Sequence, residues 1–487
     1  MALPRLSMLL ALALLPPALP SAAQSVADPA ALDLKVTPGD DAALKADASL
    51  HAPIVSIDTG LRIALETDPG VVSDPLTPGA PANANHESLG FSAAWAAPSR
   101  ARLDLSIDDA LDQTWAPLSL FSTANHEVDR NKTSAQLGLT VNPLNAIDLS
   151  FTGDAAHAAT RDSVSDALYA PAPSLYSTDT QGAAAGLTWR LTSWFTLDAK
   201  GRAESTDAEW RGAGGSGITD ARLDYSDLEP SVDGALTLPW SDKLAVSLEH
   251  AVSPLDPQAF SSFAAVSDRD PSVRFGPGRE WRYRVSLDQS LAGVQLNAAV
   301  TQAQIESATE LGPVGDGLQA PVSVYGGQRQ EVDVSLKTPL TALGLPSMTL
   351  TGVGAWRDSQ VRDPFTGELR RASAEVPQTA SLGVVHDSED QRTRWGLEGH
   401  FGGDQTLYQM SQVTQVRIAD SVDGFIEYTP GPFALRLQVD GLYGGDRDST
   451  DFVFAQPRGL ATYDPIDRVD SHIAGGQAVR LMLRKTL

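Results

Sequence analysis

Trp281-Arg282-Tyr283-Arg284-Val285-Ser286-Leu287-Asp288 is the stretch on which the fold turns. Trp281, Tyr283, Val285 and Leu287 are apolar or amphipathic, and Arg282, Arg284, Ser286 and Asp288 between them are polar. A strand sends successive side chains to opposite faces, so this segment has one greasy face and one charged face.

The same alternation recurs along the chain. Val55, Ile57, Leu61, Ile63 and Leu65 alternate with Ser56, Asp58, Arg62 and Glu66. Leu103, Leu105 and Ile107 oppose Arg102, Asp104, Ser106 and Asp108. Ile147, Leu149 and Phe151 oppose Asp148, Ser150 and Asp154. Phe195 and Leu197 lead a strand whose other face carries Asp198, Lys200, Arg202 and Glu204. Val332, Val334 and Leu336 oppose Asp333, Ser335 and Lys337; Leu435, Leu437 and Val439 oppose Arg436, Gln438 and Asp440. Val479, Leu481 and Leu483 close the chain against Arg480 and Arg484.

A soluble sandwich would bury the apolar face in a core, whereas a membrane barrel turns it to lipid and keeps the polar face in the lumen. Three features favour the barrel. Strand segments run about 10–14 residues, enough for a tilted strand to cross a bilayer and longer than the ~5–6 of globular strands. Connections alternate between short turns (98–100, 142–145, 192–193, 239–242, 290–293, 389–391, 430–432) and long polar loops (67–85, 113–129, 160–177, 208–227, 254–278, 307–327, 361–376, 447–473). Short periplasmic turns and long external loops are the habit of bacterial barrels. Aromatics form two bands, with Trp95, Trp194, Trp240, Trp395, Tyr428 and Phe433 beside the short turns. Trp281, Tyr283, Trp356 and Tyr443 lie toward the long loops. Two girdles mark two interfaces. The expected fold is all-β: a transmembrane antiparallel up-and-down β-barrel of about 18 strands (range about 16–22), with even parity placing both termini in the periplasm. Segment 410–429 reads either as one long strand or as two short ones.

Residues 1–23 carry Arg5, an apolar Leu6–Leu19 stretch and small residues Ser21-Ala22-Ala23, the pattern of a cleaved secretory signal. Residues 24–53 read as a polar extension that dangles in the periplasm, enters the lumen or adds a strand; residues 54–487 form the barrel. The chain has no cysteine, hence no disulfide framework and no thiolate chemistry. Acidic residues number 61 against 36 basic, which argues against a nucleic-acid partner.

Catalytic and metal signals are weak. Gly212-Ala213-Gly214-Gly215-Ser216-Gly217 has the spacing of a dinucleotide-binding loop, but such a loop needs a strand before it and a helix after it. A loop is the expected reading. Asn131-Lys132-Thr133 is a sequon at a strand entrance, and His400 is expected to stand solvated on the lumen face. Nothing marks a serine–histidine pair or a metal set. No enzyme activity, cofactor, catalytic residue or metal ligand is expected.

The last third resembles the barrel of TonB-dependent outer-membrane receptors. The matching phrases, in order, are Ser359-Gln360-Val361-Arg362-Asp363-Pro364-Phe365-Thr366-Gly367-Glu368-Leu369-Arg370-Arg371, Trp395-Gly396-Leu397, Phe425-Ile426-Glu427-Tyr428-Thr429-Pro430, Leu435–Leu442, Gln456-Pro457-Arg458-Gly459 and Leu481–Leu487. The resemblance implies an outer-membrane location in a Gram-negative bacterium, transport of a small solute, contact with lipopolysaccharide and delivery to the barrel-assembly machinery through the C-terminal strand. The family's plug and TonB box are not found in the short segment before the first strand, so coupling to TonB is not expected. Leu487 stands where these barrels usually carry an aromatic.

The inward faces are expected to line the lumen with Arg102, Asp104, Asp108, Lys200, Arg202, Glu204, Arg282, Arg284, Asp288, Arg436, Asp440, Arg480 and Arg484. Two roles remain open for them: a solute path, or mutual neutralisation that braces the wall. The leading expectation is a transport-class or solute-binding barrel without its own plug. The alternatives are a non-transporting surface scaffold and a barrel plugged by a separate polypeptide.

Overall fold

The computed structural model describes residues 31–38, 44–51, 57–68, 83–97, 101–117, 125–165, 174–214, 217–238, 242–266, 272–291, 293–315, 317–388, 390, 392–431, 433–459 and 464–485. The signal-peptide reading of 1–23, the turn at 98–100 and the girdle position Trp240 lie outside these residues.

Nearly every described element is a strand. The first half gives β1 (Ala31–Pro38), β2 (Leu44–His51), β3 (Ile57–Asp68), β4 (Asn83–Ala97), β5 (Ala101–Pro117), β6 (Asn125–Leu144), β7 (Ile147–Ser165), β8 (Ser174–Thr192), β9 (Phe195–Gly214), β10 (Gly217–Thr237) and β11 (Lys243–Val252). A helix, α1 (Pro257–Ala264), precedes β12 (Arg279–Leu291), β13 (Val294–Val314), β14 (Leu318–Leu340), β15 (Leu345–Arg362), the two-residue β16 (Leu369–Arg370), β17 (Gln378–Asp387) and β18 (Thr393–Phe401). The last third adds β19 (Asp404–Tyr408), β20 (Gln412–Ile418), β21 (Ser421–Tyr428), β22 (Phe433–Gly444), β23 (Arg447–Val453), β24 (Asp467–Ile473) and β25 (Ala478–Lys485).

Neighbours in sequence pair antiparallel from β1 to β15, and the series continues β15–β17–β18–β21–β22–β25. The result is an up-and-down barrel wall built from a 21-stranded sheet. Leaving out β1, β2 and β16 gives 18 strands from residue 57 onward, the expected number. β1 and β2 fall within the segment read as a polar extension, and β2 pairs with β3, so that segment adds strands to the sheet. The stretch 410–429 is two strands, β20 and β21, and they belong to different sheets.

The wall is inside-out relative to a soluble protein. On β13, Val300 is 56% exposed, whereas its neighbour Thr301 is 6% exposed. Val246, Val285 and Val300 stand in one row across β11, β12 and β13, all exposed. Such a patch is normal only where lipid covers it. The apolar face of β9 runs from Phe195 to Ala203, and that of β10 from Leu236 to Leu228. Eight steps at ~3.3 Å give about 26 Å of strand, or about 20 Å across the membrane at a tilt of ~40°, close to the ~25 Å apolar band of such barrels. Above the band, His157, Asp179, Asp207 and Asp224 form a polar row in register across β7, β8, β9 and β10. At the short-turn end, Trp194, Tyr428 and Phe433 are exposed; toward the other end, Tyr283 and Trp356 are exposed. These are the two girdles.

Two expected loops are corrected. Residues 208–214, 217–227, 307–314 and 318–327 are strand: β9 and β10 run 20 and 21 residues, β13 and β14 21 and 23. Backbone pairing continues above the bilayer because antiparallel partners keep satisfying each other there. Of the glycine run, Gly212 and Gly214 lie in β9, Gly217 begins β10 and pairs with Gly214, and strand rather than helix follows. β19, β20, β23 and β24 form a separate four-stranded external sheet. A short turn at 341–344, closed by Gly344 at φ 76°, escaped the sequence reading.

Candidate functional site: the lumen wall and its mouth

The inward face carries a ladder of ion pairs, and small residues make room for it. Arg202 on β9 reaches Asp154 on β7 at 2.6 Å, passing over Gly182 on β8. A Cβ at Gly182 would stand 2.5 Å from the Arg202 Nη2. Arg202 also holds Glu204 at 2.8 Å, and Glu229 stands opposite it on β10. On β12, Arg284 pairs with Asp333 on β14 at 3.5 Å, and Arg282 holds Glu280 at 2.5 Å and Glu249 at 3.1 Å. Arg329 on β14 returns to Glu280 at 2.7 Å. Ala299 and Ala303 on the intervening β13 are buried beneath these bridges. Arg357 with Glu331 (2.8 Å) and Arg279 with Asp227 (2.5 Å) extend the ladder.

The other residues expected in the lumen have contacts of their own. Arg102 pairs with Asp104 at 2.8 Å, and Asp440 with Arg480 at 2.9 Å. Arg436 stacks on the Phe425 ring at 4.0 Å. Asp288 accepts from Asn297. Asp108 and Lys200 are exposed. His400 is not simply solvated but paired with Asp423 at 3.0 Å. The Arg484 side chain lies outside the described residues. The structure thus gathers Arg202 with Glu204 and Arg282 near Arg284, and leaves Arg102–Asp104 and Asp440–Arg480 as separate pairs. Sequence reading put Asp154 and Asp333 on polar faces without pairing them, and did not single out Glu249, Glu280 or Arg329. Their signal was Gly or Ala at inward positions of the strand between two charged strands.

At the mouth, residues 253–266 and 272–278 fold inward. Asp256 caps α1 by accepting from the Gln258 N–H at 2.9 Å, and Pro257 fits the first turn. Phe260, Phe263 and Ala264 recur at helical spacing and form the apolar stripe. That stripe packs on the inward side chains Tyr176, Ala208 and Trp210 of β8 and β9 and on Phe275. The Phe260 ring meets Tyr176 edge-on at 5.8 Å, and Phe263 stacks on Phe275 at 5.2 Å. Val314, Ala320 and Val322 of the β13–β14 hairpin hold Val266 and Val273 on the other side. Beneath this strap lies a cavity of about 290 Å³ lined by Arg279, Glu280, Arg282, Arg329 and Glu375.

The external loops are tied together by a buried ionic quartet. Arg370 bridges Glu310 (3.0 Å) and Asp363 (2.6 Å), and Arg458 holds Asp363 at 2.8 Å. Asp363 also accepts the Phe365 N–H at 2.8 Å, and Arg370 lies over the Tyr408 ring at 4.0 Å. Burial pushes the Asp363 carboxyl up, but hydrogen bonds from Arg370 and Arg458 outweigh it and hold the group below the ordinary carboxylate range.

Neither a family model nor a curated protein matches the chain. Solved structures do. The copper transporter OprC is 12% identical, with TM-score 0.65 over 91% of this chain and 72% of its own. The ferric citrate transporter FecA, unliganded, is 11% identical, with TM-score 0.63 over 93% of this chain and 72% of its own. The ferric yersiniabactin uptake receptor FyuA from Yersinia pestis is 11% identical, with TM-score 0.61 over 93% and 74%. These are TonB-dependent outer-membrane receptors, and this chain has their barrel fold. At such identities the likeness concerns the fold alone.

Proposed function

We propose that this chain is an outer-membrane barrel that takes up a small polar solute at its external mouth and passes it through the lumen. The observation that carries the reading is the lumen wall itself. Its side chains are charged and mostly half-buried in ion pairs, and a cavity lies beside the inward-folded strap. A scaffold needs a polar lumen too, but it has no use for a strap that narrows the mouth and leaves a lined cavity below. Among the described residues, α1 and a single turn of 3-10 helix are the only elements that are not strands. The barrel receptors of similar fold carry names of metal and siderophore transporters, which supports the transport class. Residues 1–23 would direct export, and TonB coupling is not part of the proposal.

Conductance of the refolded protein in planar bilayers tests it. Discrete conductance steps in salt solution are expected. A barrel that inserts yet never conducts would overturn the passive path, and would favour a scaffold or a barrel plugged by a separate chain.

A further inference from the structure

A serine, a histidine and an aspartate meet where β17, β18 and β21 reach the mouth. Ser381 on β17 and His400 on β18 are direct cross-strand partners, and Ser421 on β21 faces His400 from the other side. Facing residues of an antiparallel pair have their Cβ atoms about 4.5–5.5 Å apart. Leu397 and Phe401 expose their apolar side chains on the outward face of β18, so His400 and its two serine partners stand on the inward one. His400 Nε2 lies 3.0 Å from Asp423 Oδ2, diagonally across on β21. Its Nδ1 has no hydrogen-bond partner among the described residues.

Three further features separate this group from the bracing pairs of the wall. Asp154, Glu249, Asp333 and Glu331 all take arginine partners, which do not give up a proton. Asp423 takes a histidine, which exchanges one readily near neutral pH. The carboxylate is itself held, because Asp423 Oδ1 accepts the Gly441 N–H at 2.7 Å. A cavity of about 780 Å³ adjoins the row. Gln378, Gly402, Asp420 and Gly441 line it, so it borders the ends of β17, β18 and β21 beside Ser381, His400 and Asp423. That volume is within the range of small-molecule sites.

We infer that Ser381, His400 and Asp423 form an ester-hydrolysing site on the inward wall, open to small carboxylic esters that enter the mouth. Such a constellation is recognised by geometry and roles, on any fold and in any chain order. Asp423 engages the imidazole from β21, so the hydroxyl that shares the ring with it is the one on the opposite strand, Ser381. Ser381 Oγ bonds to the acyl carbon as its proton passes to His400 Nδ1. The bond from that carbon to the alcohol oxygen then breaks, and the alcohol leaves with the proton. Water repeats the exchange, which releases the acid and restores the serine. Asp423 is a positioning residue that orients the ring and stabilises the imidazolium.

The refolded full chain in detergent tests this with a fluorophosphonate probe, located by peptide mass spectrometry, and with p-nitrophenyl acetate and butyrate. The probe is expected on Ser381, and ester turnover above a barrel-free control is expected with it. Ser381→Ala and His400→Ala should lose both signals, and Ser421→Ala should keep both. Asp423→Asn should lower kcat at least tenfold with KM little changed, and Asp423→Glu should recover part of the loss. A folded wild-type barrel that neither takes the probe nor turns over ester would overturn the assignment. So would labelling confined to other residues, or undiminished turnover by Ser381→Ala. The wild-type labelling needs no variant, so it stands even if a variant fails to fold. Bilayer conductance is a separate readout. A barrel that conducts but takes no probe loses the hydrolytic site and keeps the path, and one that is labelled but never conducts does the reverse.

Discussion

Asp363 is 1% exposed, carries a negative charge and touches two guanidinium groups. Such a group is tolerable only while its partners stay. Removing Arg370 would leave Glu310 and Asp363 buried without their shared cation, a loss of about 3–5 kcal/mol for a buried pair broken on one side. Because the quartet joins external segments, the cost falls on the loops. Hydrogen exchange of Arg370→Ala should show lost protection around 363–377 and 402–420, with the wall strands unchanged; unchanged loops would show that the quartet is dispensable. Acid should act in the same way. The Asp363 carboxyl titrates lower in the folded protein than the ~3.9 of a free aspartate. Its contribution is therefore fully present above about pH 4 and is lost as pH falls through the folded value. Loop protection measured from pH 6 to pH 2 should fall in that lower window, and Asp363→Asn should abolish the pH dependence. The phrases containing Asp363, Arg370 and Arg458 stood out in the sequence only as a resemblance. Their contacts join residues up to 95 positions apart, and no local pattern announces that.

At the scale of elements, strand faces were legible and strand ends were not. The alternation in Trp281–Asp288 depends on one local fact, which side is wet, and the structure keeps its register through β11, β12 and β13. Where β9, β10, β13 and β14 rise above the lipid, both faces become polar or mixed, the alternation fades, and the sequence reads as loop although pairing continues. The strap was hidden for a related reason. Its helix is eight residues long, and its stripe of Phe260, Phe263 and Ala264 has meaning only beside the inward faces of β8 and β9. Phe260 is 1% exposed, and a buried Phe→Ala change costs roughly 3–5 kcal/mol. Phe260→Ala should therefore undock the strap and leave the wall intact. Single-channel conductance should rise above wild type; an unchanged value would mean that the strap does not narrow the path. The lumen residues chosen from the sequence rest on the alternation of their strands. Their partners were missed because a cross-strand pair such as Arg202–Asp154 spans 48 positions, and the enabling Gly182 lies on neither strand.

For the whole molecule, the claim on which everything else depends is that one face of the wall meets lipid and the other meets water. The absence of cysteine makes this directly measurable, because each introduced thiol is unique. Val285→Cys and Val300→Cys stand side by side on the outward face, Ser247→Cys and Ser286→Cys on the inward face of neighbouring strands. Spin labels at these sites, in the protein reconstituted into bilayers, can be probed by collision with oxygen, which concentrates in lipid, and with a water-soluble nickel chelate. The outward pair should be relaxed by oxygen and ignored by nickel, and the inward pair should show the reverse. Labels at 285 and 300 that are shielded from both, or as open to nickel as those at 247 and 286, would contradict the transmembrane barrel and the lumen path with it.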